Sequence, residues 1–268
     1  MTFDNGSSLV LPQEETLVTE LFALSHDSDA IRRYLLAFQT RTFTDPDGRT
    51  ERLDVVLPPA EAALLAWLAR RSPTRLSIET GFGMGSSTAV IVGARATAGQ
   101  DFEHLAFDPF RQRGAVVQSY LETNFGERFR RFRERSEVGL GKLLGEHGAQ
   151  SVGLAFIDGG HHFETVMTDF RLADLLCCNE GFVVFDDATS PAIETVVNYV
   201  RCNRPDYAIA HLPVPNTTVL KKCAPDRRDW SDFKPFPVEQ RKDWTSTRRS
   251  ILGFHPSLAT GSNSRSSR

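Results

Sequence analysis

Residues 75–88, RLSIETGFGMGSST, constrain this chain more than any other stretch. A short apolar run ends at Glu79, three glycines follow at alternate positions (Gly81, Gly83 and Gly85), and hydroxyl and small apolar residues come next. This order predicts a strand, a tight loop and a helix. Glycine allows a positive φ and lets the backbone approach a ligand closely, and the free N–H groups at a helix start face the same space. The stretch therefore indicates a site for a nucleotide-like ligand with an anionic end.

The spacing of the glycines separates two kinds of ligand. A dinucleotide fingerprint, G-x-G-x-x-G, needs its third glycine where this chain has Ser86. The pattern acidic-x-G-x-G-x-G is satisfied at every position from Glu79 to Gly85. In this respect the stretch resembles motif I of the class I S-adenosylmethionine-dependent methyltransferases. On this stretch alone, a glycine-rich turn without a ligand is the alternative.

The charge of the chain is distributed unevenly. Its 268 residues, 40% hydrophobic and 24% charged, suit one large domain with additions. The formal net charge is −3, but the segment from Lys221 onward has 11 Lys and Arg against 5 Asp and Glu, so residues 1–220 carry −9. We therefore expect an acidic main body that does not bind nucleic acid.

No sequence feature indicates a membrane or an oxidising compartment. The chain has no apolar run of ~18 residues or more, and its start, MTFDNGSSLVLPQEE, lacks the basic and apolar regions of a signal peptide. The four cysteines, of which Cys177 and Cys178 are adjacent, lack the spacing of a zinc site. We expect a cytoplasmic protein without a membrane partner, and a homo-oligomer stays open.

Acidic residues follow several apolar runs at the point where each predicted strand ends. Asp108 follows LAF, Asp158 follows VGLAFI, and Asp186 and Asp187 follow FVVF. The carboxyl ends of parallel strands meet at one edge of a sheet, where an acidic residue such as Asp108 binds ribose hydroxyls; a helix cap is the alternative for it. The other three carboxylates would repel one another unless a cation lies among them, and Mg²⁺ prefers oxygen ligands. Alternatively, Asp158 receives the amino group of a cofactor and Asp187 caps a helix.

The rest of the chain divides into an N-terminal segment, a core and a tail. Apolar residues at helical spacing predict two helices within residues 15–38, followed by a polar stretch with a DPDG turn. A Pro-Pro pair starts the helix AEAALLAWLARR, RFRRFRERS predicts an edge strand, and two strands joined by a Pro-Asn turn close the core. We assign residues 1–57 to a helical segment that either covers the substrate or packs on the sheet, 58–223 to the core domain, and 224–268 to a basic tail with a disordered end.

Four segments together resemble one group within the class I methyltransferases. ETGFGMGSS, FDP, FIDGGHHFE and VVFDD are similar to the bacterial O-methyltransferases that act on sugars and other natural products, which often use Mg²⁺. The resemblance covers roughly residues 58–223. It implies an α/β fold with a Rossmann-like, doubly wound seven-stranded sheet in the order 3-2-1-4-5-7-6, the last strand being antiparallel. The N-terminal helices are then an addition to that fold.

The resemblance and the strand-end positions together indicate the site residues. Those expected to bind S-adenosylmethionine are Glu79, Thr80, Gly81, Gly83, Ser86, Ser87, Asp108, Pro109, Ser136 and Asp158. Those expected to bind Mg²⁺ are Asp158, Asp186 and Asp187. Some relatives have a histidine three positions after the first metal carboxylate, where this chain has His161. We therefore expect His161 to be the catalytic base, whereas the adjacent His162 caps the next helix or points outward. The alternative is that both histidines are structural or face solvent.

The sequence thus predicts an enzyme that transfers a methyl group from S-adenosylmethionine to a hydroxyl oxygen of a small molecule, with help from a divalent cation. An NAD-dependent oxidoreductase is one alternative, which Ser86 and the pair Asp186-Asp187 oppose. A non-catalytic binding protein on the same scaffold is another. The acceptor molecule stays open.

Overall fold

The computed structural model describes residues 9–110, 113–210, 214 and 216–236. The predicted disorder at the end of the tail, and most of the predicted N-terminal arm, lie outside these residues. The helices are α1 (Glu14–Asp27), α2 (Asp29–Thr40), α3 (Pro59–Ala69), α4 (Ser86–Thr97), α5 (Ala115–Phe125), α6 (Ser136–His147), α7 (Phe163–Leu176) and α8 (Pro191–Asn203). The strands are β1 (Thr42–Thr44), β2 (Thr50–Arg52), β3 (Leu76–Thr80), β4 (Glu103–Phe107), β5 (Phe129–Phe132), β6 (Val152–Ile157), β7 (Cys177–Phe185), β8 (Tyr207–Ile209) and β9 (Thr218–Lys222).

A seven-stranded sheet forms the centre of the molecule. Its order is β5-β4-β3-β6-β7-β9-β8. Neighbouring strands are parallel except where β9 pairs antiparallel with β7 and β8. Counted from β3 in chain order, this arrangement is 3-2-1-4-5-7-6 with the last strand antiparallel. The fold predicted from the sequence is therefore confirmed.

Helices cover both faces of the sheet, as the buried, continuously apolar strands require. On one face α3, α4 and α5 enclose a core that includes Leu64, Val90 and Leu121. On the other face α6, α7 and α8 pack over a second core. The two cores leave the carboxyl ends of the parallel strands as the edge at which a crevice can form.

The N-terminal segment is fixed to the first of these faces. Leu17 and Ile31 belong to the same core as α4, and the Tyr34 hydroxyl donates to the carbonyl of Leu57 at 2.7 Å. The Glu51 carboxylate accepts hydrogen bonds from the first N–H groups of α5, at 2.8–3.2 Å. The N-terminal segment therefore packs on the helices that cover this face of the sheet.

The polar stretch before α3 contains a small hairpin that the sequence analysis did not predict. β1 and β2 pair antiparallel, and the turn between them is the expected DPDG sequence. The Asp45 carboxylate accepts the N–H groups of Asp47 and Arg49 at 3.0 and 2.8 Å. The strands were missed because each has three residues and a polar composition that does not alternate clearly.

A buried charge network holds the last elements against α7. Arg204 donates to both carboxylate oxygens of Asp174, at 2.6 and 2.8 Å, and to Asp206 at 2.7 and 2.9 Å. Lys222 of β9 lies 3.2 Å from the same Asp174 carboxylate. These groups position β8 and β9 on the sheet edge. Within the described residues, no helix has the length and apolar content that a membrane span requires.

Candidate active site

The predicted site residues meet at the carboxyl edge of the sheet. Backbone hydrogen bonds continue past the strand ends: Gly81 N–H donates to the carbonyl of Phe107 at 2.8 Å, and Asp158 N–H donates to that of Thr80 at 2.9 Å. Asp186 N–H donates to the carbonyl of Ile157 at 3.1 Å. The glycine loop, Asp108 and the acidic ends of β6 and β7 therefore start from one edge, as the sequence predicted.

The glycine loop has the backbone that its sequence requires. Gly81 has φ 87°, and a Cβ there would lie 2.0 Å from the carbonyl oxygen of Asp158, so only glycine fits. Gly83 has φ 51°, and no described atom lies within 4 Å of where its Cβ would be. Gly85 precedes α4 with φ 80°, and no side-chain hydrogen bond is seen at this cap. The loop thus leaves open space beside Gly83. It also leaves the first N–H groups of α4 without a side-chain cap.

Glu79 and Thr80 lie beneath this loop and not in the open space. Glu79 is fully buried; its Oε1 accepts the hydroxyl of Thr88, and its Oε2 lies 3.5 Å from His104 Nε2. The Thr80 side chain is also buried. Side chains within a strand point toward one face of the sheet or the other, and not past the end of the strand. Glu79 and Thr80 therefore support the loop from beneath and do not line the open space.

The two serines after the loop are also partly engaged. Ser86 Oγ accepts the N–H of Leu57 at 3.2 Å, so this hydroxyl ties α4 to the segment before α3. Ser87 is buried in the first turn of α4. Both residues contribute N–H groups to the helix start that borders the open space.

Asp108 connects β4 to the glycine loop. Its Oδ2 accepts the N–H of Gly83 and its Oδ1 accepts that of Phe110, both at 2.8 Å, and Arg131 lies 3.6 Å from Oδ2. A carboxylate has about four lone-pair positions, so acceptor capacity is left beyond these two hydrogen bonds. Pro109 and Phe110 are exposed at the crevice edge.

Asp158, His161 and Asp187 form the group that could hold a metal ion. One ligand atom from each lies within 4.8 Å of the others, and His161 Nε2 is 3.3 Å from Asp187 Oδ2. The predicted ligand Asp186 is not part of this group, and its Oδ1 accepts the N–H of Asp187 at 2.8 Å. The histidine takes the third place that the sequence analysis gave to Asp186. His162, in contrast, is exposed at the start of α7, as expected.

Asp187 is held in an uncommon backbone conformation. Its φ is 49°, in the left-handed region that few residues other than glycine, Asn and Asp adopt. Its carbonyl accepts the N–H of Ser190 at 2.7 Å, and its Oδ1 accepts the Asn216 amide at 2.9 Å. Asn216 is a site residue that the sequence analysis missed, because it lies in the turn before β9 and no pattern links it to β7.

Burial, with repulsion from neighbouring carboxylates, raises the pKa of three acids near this edge. Burial, and then the neighbouring Asp187, raise the pKa of Asp186 to about 7. Burial and the charges of Asp186 and Asp187 raise the pKa of Asp158 well above its ordinary value. The same three causes raise the pKa of Glu61, on α3, to about 9. The sequence analysis missed Glu61, although a single acid inside the apolar helix AEAALLAWLA was a signal that it could have used.

A second buried acid lies behind the turn that carries Asp158. Asp169 of α7 is 1% exposed, and neither of its carboxyl oxygens makes a hydrogen bond of good geometry to a described residue. Burial raises its pKa to about 6, against the lowering effect of the Ser136 and Thr80 hydroxyls. A Cβ on Gly159 would lie 3.3 Å from its Oδ2. The sequence analysis missed Asp169. Its position between Val166 and Phe170, on the apolar side of α7, could have indicated that this acid is buried.

Residues 78–188 match a family model described as a methyltransferase domain. The matched stretch begins inside β3 and ends just after Asp187, so it includes the glycine loop and the acidic ends of β4, β6 and β7. No curated protein sequence matches the chain.

Solved structures share the fold of this chain at low sequence identity. A Corynebacterium glutamicum protein has a TM-score of 0.56 and 16% identity, with 74% of this chain and 91% of that chain covered. The SAH-bound methyltransferase PaMTH1 from Podospora anserina has a TM-score of 0.54 and 15% identity, with 81% and 100% covered. A Staphylococcus aureus protein described as a caffeoyl-CoA O-methyltransferase has a TM-score of 0.55 and 14% identity, with 76% and 97% covered. The strand order is that of the Rossmann-like methyltransferase fold.

Proposed function

We propose that this protein transfers the methyl group of S-adenosylmethionine to a hydroxyl oxygen of a small molecule, with the help of a divalent cation. The observation that carries the proposal is the meeting of two features at one sheet edge: the glycine loop and the group of Asp158, His161 and Asp187. The matched methyltransferase domain covers both features. The SAH bound to PaMTH1 supports the same choice of cofactor.

The residues present fit S-adenosylmethionine. The open space beside Gly83 is where a ligand can approach the backbone closely. The N–H groups at the start of α4, among them those of Ser86 and Ser87, suit the carboxylate of the methionine end. Asp108 has acceptor capacity left for the ribose hydroxyls. Ser136, at the start of α6, is our candidate for the adenine side.

The residues present also fit a divalent cation. Asp158 and Asp187 offer carboxylate oxygens that lie, with the His161 imidazole, within 4.8 Å of one another, and these two carboxylates are a donor pair for such an ion. Carboxylate oxygens suit Mg²⁺ and Mn²⁺, so Asp158 and Asp187 would hold the cation and the imidazole beside them is left free to take a proton. When bound, the cation would lower the pKa of an acceptor hydroxyl and orient it. Asp186 supports the group by fixing the backbone of Asp187.

Methyl transfer then requires alignment of the two substrates and removal of one proton. The sulfonium of S-adenosylmethionine is already an activated donor, so the main task of the protein is to hold the acceptor oxygen in line with the methyl group. We assign the proton to Nε2 of His161, because an imidazole is well matched to general-base work near neutral pH. The Asp187 carboxylate, 3.3 Å from this atom, would stabilise the imidazolium that results.

The proposal is tested with labelled S-adenosylmethionine and a panel of small acceptors that carry sugar or phenolic hydroxyls, in the presence of Mg²⁺ or Mn²⁺. We expect label on at least one hydroxyl acceptor, loss of transfer in EDTA, and recovery when the metal is restored. Acceptors with the hydroxyl replaced by hydrogen are the matched controls. Transfer to an amine or thiol acceptor alone would contradict O-methylation, and full activity in EDTA would contradict metal assistance.

Metal titration of His161→Ala separates the two possible uses of the histidine. If His161 is only a base, its removal leaves the metal affinity unchanged. If His161 is a metal ligand, its removal lowers the metal affinity. We expect the variant to bind Mn²⁺ within about threefold of the wild type and to lose methyl transfer. The Asp158→Asn variant is the control, because it removes a carboxylate of the group and should lose metal binding.

A further inference from the structure

A buried polar row runs beneath the glycine loop, and it contains a histidine that the proposed reaction does not use. His104 of β4 is 0% exposed and pairs directly with Ser77 of β3. Side chains alternate along a strand, so Ser77 and Glu79 share one face of the sheet, and His104 lies on that face opposite Ser77. The row therefore brings a serine, a histidine and a glutamate together inside the core.

The contacts in this row form a continuous path from β4 to α4. His104 Nδ1 is 3.0 Å from Ser77 Oγ, and His104 Nε2 is 3.5 Å from Glu79 Oε2. The other oxygen of Glu79 accepts the hydroxyl of Thr88 in the first turn of α4. The path thus crosses below the loop that connects β3 to α4.

The surroundings of the row make these polar contacts necessary. His104 stacks against Phe129 at a centroid distance of 6.4 Å. Glu79 Oε2 and His104 Nε2 face each other at 3.5 Å, and neither has a hydrogen bond of good geometry to any residue that the structure describes. A buried carboxylate is costly unless a donor faces it. The imidazole is the group available to supply that donor.

Both possible hydrogen bonds of the Ser77 hydroxyl are compatible with a proton on His104 Nε2. This hydroxyl has two possible acceptors, His104 Nδ1 at 3.0 Å and the carbonyl of Glu103 at 3.2 Å. If it donates to Nδ1, a neutral imidazole carries its proton on Nε2. If it donates to the carbonyl, Nδ1 must donate to the serine, and a proton on Nε2 as well is then needed to face the carboxylate.

We infer that His104 is a positioning residue for the cofactor loop. A proton on its Nε2 faces Glu79 and fixes the carboxylate that holds Thr88, and through it the first turn of α4. Cofactor affinity therefore depends on a side chain of β4 that does not reach the crevice. This inference rests on the proposed binding of S-adenosylmethionine by the loop.

The test replaces His104 with phenylalanine and with glutamine. His104→Phe keeps the flat shape but cannot donate, and we expect its Kd and KM for S-adenosylmethionine to rise by about tenfold while kcat stays near the wild-type value. His104→Gln, whose amide can donate to Glu79, should recover most of the affinity. Phe102→Leu is the matched control: it alters a fully buried residue of the same region and should lower Tm without changing the Kd.

Unchanged affinity in a folded His104→Phe variant would overturn the inference, and so would equal losses in the phenylalanine and glutamine variants. Imidazole ¹⁵N spectra of the wild-type protein provide a test that needs no variant. They should show a proton on Nε2 of His104, and an Nε2 without a proton would overturn the inference even if no variant folds. Failure of the wild type to bind S-adenosylmethionine would instead contradict the proposed function, and the spectra would then decide the role of His104 alone.

Discussion

Asp169 gives a prediction whose size can be worked out from the structure. Its carboxyl group is 1% exposed, and its oxygens lack hydrogen bonds of good geometry to the described residues. Burial raises its pKa from 3.8 to about 6. The folded state therefore binds the proton more tightly than the unfolded state does. The stability that this group contributes is present while it is protonated and is lost as the pH rises from about 4 to about 6.

The loss follows from the two pKa values. Each pKa unit corresponds to about 1.36 kcal/mol, so ionisation of Asp169 costs the folded state about 3 kcal/mol when it is complete, of which about 2 kcal/mol falls between pH 4.5 and 7.5. Asp169→Asn has nearly the same shape and cannot ionise. The difference in unfolding free energy between the variant and the wild type should therefore shift by about 2 kcal/mol toward the variant over this range.

Urea unfolding at several pH values measures this shift. Taking the difference between two proteins removes the pH dependence that they share, including that of the acids near Asp187. Asn124→Ala, which removes a side chain that does not titrate, is the control and should keep a constant difference from the wild type. A constant difference for Asp169→Asn as well would refute the reasoning, because it would show that Asp169 has the same pKa in the folded and unfolded states.

Two further predictions concern the base and the buried charge network. His161→Ala should lose on the order of 10²-fold or more in kcat with nearly unchanged S-adenosylmethionine affinity. His162→Ala should lose much less, because it is His161 that approaches Asp187. Small and equal losses in the two variants would place the base elsewhere. Arg204→Ala should lower the unfolding free energy by about 3–5 kcal/mol, because it leaves buried carboxylates without their partner. Arg32→Ala, which removes an exposed ion pair, should cost less than about 1 kcal/mol by the same urea assay, and equal losses would contradict the assigned role of the network.

The sequence predicted the sheet and its edge because those features depend on local patterns. Buried parallel strands are continuous apolar runs, and glycines at alternate positions mark a turn that tolerates no side chain. Gly81 shows why: a Cβ there would meet the Asp158 backbone. Acids directly after such runs must lie at the carboxyl edge, so Asp108, Asp158 and Asp187 could be placed in advance.

The composition of the group around Asp187 could not be predicted in the same way. Asp186 and Asp187 are adjacent, and neighbouring residues of an extended strand point in opposite directions. Asp187 has a left-handed φ, and its Oδ2 lies 3.3 Å from His161 Nε2. No local sequence pattern shows which of the two adjacent acids has this backbone conformation, so the sequence did not predict which of them joins the group.

Contacts between distant elements were beyond the sequence for a different reason. Glu61 reaches the edge from α3, and Asn216 reaches Asp187 from the turn before β9. Glu61 is more than a hundred residues from Asp186 in the chain, and Asn216 is 29 residues from Asp187, so no local pattern links either residue to its partner. His104 likewise resembles any residue of a buried strand until its pairing with Ser77 is known.

Calorimetric titration with S-adenosylmethionine and with NAD tests the central claim most directly. The wild type should bind S-adenosylmethionine and not NAD, and Gly83→Val should weaken binding at least about tenfold, ~1.4 kcal/mol, because its side chain would fill the open space of the loop. Gly99→Val is the matched control: Gly99 also has a positive φ and free space, but it lies beyond the other end of α4. That variant should keep the wild-type affinity. No heat of binding with S-adenosylmethionine, tight binding of NAD, or equal weakening in both valine variants would contradict the account.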